Sequence, residues 1–215
     1  MTGLLFDLDG TLLKTMEDLK DATNYALRLY GFPEKTLEEI RKVVGNGAAN
    51  QLRKSLPAGT PEETVQTVLK TYKDYYAAHC QIKTAPYEGI LEATECLKKT
   101  YPVAIVSNKP DVAVKTLCAQ YFGDTYALGE SADCPRKPAP DMVKKGMEAI
   151  GAESCIYIGD SEVDILTAKN AGLPCLSVLW GFRDRELLEA NGGQWFCEKP
   201  EELPRVLSRM IGEIK

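Results

Sequence analysis

Two acids set two residues apart, Asp7 and Asp9, follow directly on the apolar run of residues 3–6 in Gly3-Leu4-Leu5-Phe6-Asp7-Leu8-Asp9-Gly10-Thr11. Other apolar runs also end in groups that could do chemistry. Residues 102–106 stop at Ser107-Asn108, and residues 155–158 stop at Gly159-Asp160-Ser161, with Asp164 four positions after Asp160. Lys137 stands in Arg136-Lys137-Pro138-Ala139-Pro140-Asp141, a loop sequence ahead of a helical pattern. Taken singly, each has an ordinary explanation. Asp-Gly is a turn signal, Ser-Asn and Asp160 suit helix caps, and Asp164 suits the first turn of a helix. The recurrence of polar groups at the ends of separate buried runs favours one shared site.

The chemistry follows from the residue types. Several carboxylates packed together repel one another and take up protons unless a cation intervenes. A few oxygen-only ligands suit Mg²⁺, which keeps waters and bridges to a substrate phosphate. An aspartate can act as nucleophile. A lysine, a hydroxyl and an amide around the same point would stabilise charge on transferring phosphoryl oxygens.

The elements that must position these groups alternate in the second half of the chain. Strand-like runs cover residues 3–6, 102–106, 155–158 and 173–178, with weaker ones at 125–128 and 194–197. Helical spacing follows Glu88, Asp111 and Pro140, spans residues 162–171 up to the helix stop Gly172, and returns at about 201–211. This alternation implies an α/β fold with a parallel sheet covered on both faces, and such sheets bind ligands beyond the carboxyl ends of their strands. Residues 16–80 are different. Met16, Leu19, Thr23, Ala26, Leu27 and Tyr30 form one helical stripe, stopped by Gly31 and Pro33, and Val65, Val68, Leu69, Tyr72 and Tyr76 form another, with shorter helices expected at 37–44 and 48–56. An all-helical domain over residues 15–83 is thus expected to interrupt a core of residues 1–14 and 84–215. His79, the single histidine, continues the second stripe and reads as a packed residue.

Composition narrows the partners. The chain has 215 residues and a formal charge of −5, which argues against a nucleic-acid binder. No unbroken apolar run exceeds four residues, so no membrane span is expected, and the start of the sequence does not resemble a secretory signal. The seven cysteines are widely spaced and include no Cys-x-x-Cys; they read as small buried hydrophobes of a reducing, cytoplasmic protein. A monomer is expected, with a homodimer as the alternative.

Phe6-Asp7-Leu8-Asp9-Gly10-Thr11-Leu12, Val106-Ser107-Asn108-Lys109-Pro110, Lys137-Pro138-Ala139-Pro140-Asp141 and Ile158-Gly159-Asp160-Ser161-Glu162-Val163-Asp164 resemble, in order, the four motifs of the haloacid dehalogenase superfamily. Its phosphoglycolate-phosphatase-like group is the most similar, through the helical insert with Val44-Gly45-Asn46-Gly47-Ala48 and the later Val178-Leu179-Trp180-Gly181-Phe182. The resemblance implies a Rossmann-like doubly wound core, an inserted cap, Mg²⁺, and hydrolysis of a small phosphorylated metabolite through an aspartyl phosphate. It implies Asp7 as nucleophile and Asp9 as general acid and base. Ser107 would hydrogen-bond the phosphoryl group with Asn108 and the amides near Gly10 and Thr11. Lys137 would pair with Asp7 and the phosphate, and the metal would sit among Asp7, Asp9 (through its carbonyl), Asp160 and Asp164. Gly45, Asn46 and Gly47 read equally well as a turn between cap helices and as a specificity loop. Trp180 and Phe182 read as packing at the sheet edge. One departure stands at the cap junction, where Lys14 and Thr15 replace the acidic residue and serine common in relatives.

Three alternatives share many of these residues. An inorganic pyrophosphatase, or a sugar-phosphate phosphatase or phosphomutase, would keep the phosphoenzyme; the mutases usually carry Glu where this chain has Gly159. A response-regulator-like phospho-sensing module would use similar groups, but with its acids adjacent rather than alternating at the first strand.

Overall fold

The computed structural model describes residues 1–214. Strands β1 (Thr2–Phe6), β4 (Val103–Pro110), β5 (Tyr126–Glu130), β6 (Ser154–Gly159), β7 (Cys175–Val178) and β8 (Trp195–Cys197) form one six-stranded sheet. All neighbours are parallel, in the order β5-β4-β1-β6-β7-β8. The order reverses at β1, so the crevice beyond its carboxyl end is the topological switch point where ligands bind in such sheets. A two-residue strand, β2 (Leu13–Lys14), pairs antiparallel with β3 (Ala85–Pro86). This ribbon frames the insert.

Alternation along β1 explains the layering. Leu4 and Phe6 face one apolar cluster with Ile105, Ile156 and Ile158. That cluster includes residues of α5 (Ile90–Lys98), α6 (Asp111–Phe122) and α10 (Leu203–Ile214). Leu5 faces the other cluster with Ala104, Val106 and Tyr157, against α7 (Asp141–Ala149) and α8 (Glu162–Ala171). Each fully buried Leu or Ile contributes about 1.5–3 kcal/mol, so a polar substitution on either face of β1 would be severe.

Helices α1 (Met16–Leu29), α2 (Leu37–Val43), α3 (Ala48–Ser55) and α4 (Glu62–His79) make the cap. Leu19, Ala26, Leu27, Ile40, Leu52, Val68 and Tyr72 close its interior. The rings of Tyr25 and Tyr75 stack at 4.0 Å, and His79 stacks on Tyr75 at 3.9 Å, away from the site. The expected helix stripes are thus present, except that Tyr30 falls just past the end of α1 and is 39% exposed, and every expected strand is present. Among the described residues no helix is long and apolar enough to cross a membrane.

At the junction, Thr15 is fully buried and Lys14 lies 5.4 Å from the Tyr87 ring centroid. The Asp18 carboxylate accepts the Lys83 and Thr84 amides and the Thr84 hydroxyl. The first helix of the cap is therefore tied to the segment that re-enters the core.

Two elements escaped the sequence reading: the ribbon, too short to show a period, and α9 (Arg185–Ala190), with Leu188 its one buried side chain. A third difference concerns β4. It does not stop at Val106, since pairing with β5 resumes at Pro110 after a shift of register. Ser107, Asn108 and Lys109 occupy that irregularity, a device that re-aims side chains near active sites.

Candidate active site

The Asp7 amide donates to Ile158 O at 2.8 Å, extending the β1–β6 ladder and fixing the residue at the strand's end. Lys137 Nζ stands 2.9 Å from Asp7 Oδ1, 2.8 Å from Asp164 Oδ1 and 2.9 Å from the Tyr157 hydroxyl. All three of its donors are thereby used. Tyr157 passes its own hydrogen to Val106 O at 3.2 Å. The second Asp164 oxygen accepts the Ser161 amide and hydroxyl at 3.1 and 2.6 Å, which caps α8. Asp160 accepts the Thr11 hydroxyl at 3.1 Å and the Phe182 amide at 2.7 Å.

One carboxylate oxygen from each of Asp7, Asp160 and Asp164 lies within 4.8 Å of the others, all buried. Burial pushes the Asp7 carboxyl up to about 7, against the pull of Lys137 and with a further push from Asp164. Asp160 is raised well above the usual carboxylate range by burial and by the charges of Asp164 and Asp7. Burial lowers the Lys137 ammonium, but Asp164 and Asp7 outweigh it and hold the group well above an ordinary lysine. Three buried acids around one ammonium cannot all ionise without a further cation. An all-oxygen donor set of this kind fits a hard divalent cation.

Asp9 stands outside this cluster. Its carboxylate takes both oxygens to Lys109 Nζ, at 2.7 and 3.0 Å. Ser107 is buried and lines a cavity together with Asp7 and Asp9, and its oxygen accepts the Lys109 amide at 3.3 Å. Asn108 differs from expectation. Its oxygen accepts the Lys137 amide at 2.8 Å, and its nitrogen donates to Lys137 O at 2.9 Å and Gly45 O at 3.2 Å. It therefore ties the lysine loop to the cap, and its amide is spent on backbone. Gly10 differs too, because its amide donates to Leu13 O at 3.0 Å. Its φ of 83° and the Asp160 carboxylate crowding the place of a Cβ explain the glycine. The Thr11 hydroxyl is likewise committed to Asp160. Gly45 and Gly47 line the cavity over Asp7, whereas Asn46 lines a separate cleft with Asn50 and Lys54.

Residues 4–178 match the family model described as haloacid dehalogenase-like hydrolase. The chain belongs to this family. The hydrolase is 31% identical over 221 residues to a phosphoglycolate phosphatase of Xylella fastidiosa, covering 96% of this chain and 91% of that one. It is 30% identical to the phosphoglycolate phosphatase of Vibrio parahaemolyticus, with 95% of each chain covered. A crystal structure from Lactobacillus delbrueckii subsp. bulgaricus, of a protein named as a candidate phosphoglycolate phosphatase, superposes with a TM-score of 0.89 at 35% identity, over 95% of this chain and 97% of that one.

Several groups at the hydrolase's site were not singled out from sequence. Tyr157 and Ser161 read only as a strand residue and a motif residue, yet they position Lys137 and Asp164. Lys109 read as part of a motif without a role of its own. Phe182 was assigned to sheet-edge packing, but it lines the cavity and its amide holds Asp160. Its carbonyl accepts Arg41 Nε of the cap at 2.6 Å. In return, Arg183 of the core donates to the cap carbonyls of Arg41 and Val44, at 2.7 and 2.9 Å. The Glu162 carboxylate braces Arg183 at 2.8 Å. Two arginines exchanged in opposite directions thus hold the cap down beside a site carboxylate.

Proposed function

We propose that the hydrolase is a Mg²⁺-dependent phosphatase acting on a short phosphomonoester, with phosphoglycolate as the first candidate, through a phosphoaspartate on Asp7. The observation that carries this reading is Lys137 held between Asp7 and Asp164, beside Asp160, at the sheet's switch point. Asp7, Asp160 and Asp164 would hold the ion. Bound there, Mg²⁺ would neutralise the buried carboxylates and the phosphoryl oxygens.

The chain's own groups divide the remaining work. The Lys137 pair and the Leu8 amide, 2.7 Å from Asp7 Oδ1, fix the orientation of the nucleophile. Asp7 attacks phosphorus as the bond to the leaving alcohol breaks, and Asp9 gives that alcohol its proton. Asp9 then takes a proton from the water that attacks phosphorus, which releases phosphate and restores Asp7. Ser107 is placed to donate to a phosphoryl oxygen. The cap excludes other water.

The cavity over Asp7 is small, with about 40 Å³ of space for water-sized centres, and suits a short substrate. Gly159 supports hydrolysis over mutase chemistry, because the Asp164 side chain occupies the space that a Cβ there would need. The test is phosphate release from a panel of phosphorylated metabolites and pyrophosphate, with Mg²⁺ and with chelator. Mg²⁺-dependent turnover with the highest kcat/KM on phosphoglycolate is the expected outcome. No turnover of any phosphomonoester would sink the reading.

Gly181 gives a further check that needs no substrate. A Cβ there would collide with the Asp160 side chain. Mg²⁺ is expected to raise the melting temperature of the wild type, and Gly181→Ala, by displacing Asp160, to abolish that rise. An unchanged Mg²⁺ increment in the variant would contradict the assignment of Asp160.

A further inference from the structure

The cap's contribution to the cavity is neutral throughout: Leu19, Val44, Ala48, Gln51, Tyr72 and Tyr76, with Gly45 and Gly47. Among the described residues lining this cavity, Lys109 is the one cation. Its side chain is 1% exposed, and among the described residues its ammonium has a single ionic partner, Asp9. The Tyr76 ring lies against it, 4.6 Å from Nζ to centroid. The bidentate contact to Asp9 uses at most two of its three donors, so one remains for a ligand.

Tyr76 adds an independent observation. It is buried, it lines the same cavity, and its hydroxyl has no hydrogen-bond partner among the described residues. A buried hydroxyl without a partner is costly, and such groups in native structures are as a rule satisfied by something. Here that hydroxyl and the Lys109 ammonium come from opposite sides of the cleft, one from the cap and one from the core. Together they offer a charge and a donor to an acceptor on the substrate's leaving group. Arg41 and Arg183, the nearby guanidiniums of the cap–core contact, are spent on backbone carbonyls and do not line the cavity.

We propose that Lys109 and the Tyr76 hydroxyl form the receptor for a second anionic group on the leaving side of the substrate, so that the hydrolase selects phosphoesters whose alcohol carries a carboxylate close to the scissile bond. The inference rests on the phosphatase reading above. It assigns recognition to a core lysine beside the general acid and a cap tyrosine that closes over it. A cap whose cavity lining carries no charge can then still select an anionic substrate, and it can do so only when closed. Because Lys109 also touches Asp9, its replacement will slow every substrate to some degree. The diagnostic quantity is therefore a ratio between substrates, not a rate.

The experiment compares kcat/KM for phosphoglycolate with that for 2-hydroxyethyl phosphate, which keeps the skeleton and replaces the carboxylate by a neutral hydroxymethyl group. Pyrophosphate is run as a second anionic substrate, and p-nitrophenyl phosphate as an activated control. Wild type is expected to prefer phosphoglycolate over the neutral analogue by about 100-fold, the scale of one charge-assisted contact. Lys109→Met is expected to cut that ratio at least tenfold, chiefly through KM for phosphoglycolate, and Lys109→Arg to restore part of it. Tyr76→Phe, which removes one oxygen, is expected to lower the ratio several-fold and serves if the lysine variant does not fold. A wild-type preference for pyrophosphate that collapses in the same variants would assign the same receptor to a phosphoryl group and overturn the carboxylate. Equal losses on phosphoglycolate and on the neutral analogue in both variants would overturn the receptor and leave a phosphatase. Failure of wild type on all four substrates would instead remove the phosphatase reading itself.

Discussion

Asp7→Asn is expected to lower phosphate release by at least ~10⁴-fold, the scale on which loss of a nucleophile is felt, and yet to yield a more stable protein above pH 7 when metal is absent. The two effects share one cause. Burial holds the Asp7 carboxyl at about 7 in the folded chain, against a reference of 3.8. Between these values the folded state carries a proton that the unfolded state has released. Stability of the metal-free wild type therefore falls as pH rises through this window, and levels off above it. An amide at position 7 does not titrate, so the variant escapes the loss, and each pH unit of displacement is worth about 1.4 kcal/mol. Urea unfolding of both proteins in chelator at pH 5 and pH 8 measures this directly. The variant should gain on the wild type between the two pH values. A gain absent at pH 8, or turnover retained by the variant, would contradict the role given to Asp7.

Lys137→Met is expected to act in the opposite direction on stability. The side chain is 1% exposed and is the ammonium that pairs with Asp7 and Asp164. Removing it leaves buried carboxylates without compensation, and breaking a buried pair from one side costs about 3–5 kcal/mol. The loss should be largest at pH 8 in chelator. It should shrink toward pH 5, where raised carboxyls take up protons, and shrink again with Mg²⁺ at pH 8. Denaturant midpoints under the three conditions give the answer; a loss below about 1 kcal/mol throughout would mean that Lys137 is not what balances the acids. Activity should fall with the variant whether or not metal restores its stability, since Asp7 loses the group that orients it.

The sheet and the acids were legible in sequence because both rest on local pattern. Runs such as 155–158 are apolar on both faces, as buried parallel strands must be, and they end abruptly in the residues that matter. Asp7 and Asp160 needed only the rule that such ends converge, and Asp164 the further step of placing it in the first turn of the helix that follows. The groups that serve them were not legible. Tyr157 donates and accepts across the sheet, which no period reveals. Phe182 acts through its backbone amide and carbonyl, for which side-chain type is no guide. Tyr76 fits the helical stripe of α4 as well as any core residue, and only docking of the cap brings it over Lys109. Asn108 and Gly10 looked like phosphate donors by position, but their donors are taken by backbone carbonyls that only the folded loop brings near.

The place of β1 has a consequence for how the molecule is made. Leu4 pairs with Val103 on one side and Ile156 on the other, so the central strand precedes its neighbours by 99 and 152 residues. The helices of the cap find their partners nearby in sequence and can assemble while β1 still waits, its Leu4-Leu5-Phe6 edge unpaired. Late closure of distant strands is slow and exposes such edges to other chains. The hydrolase is thus a molecule whose least protected moment comes during synthesis, and its nucleophile is set in place only when the sixth strand arrives.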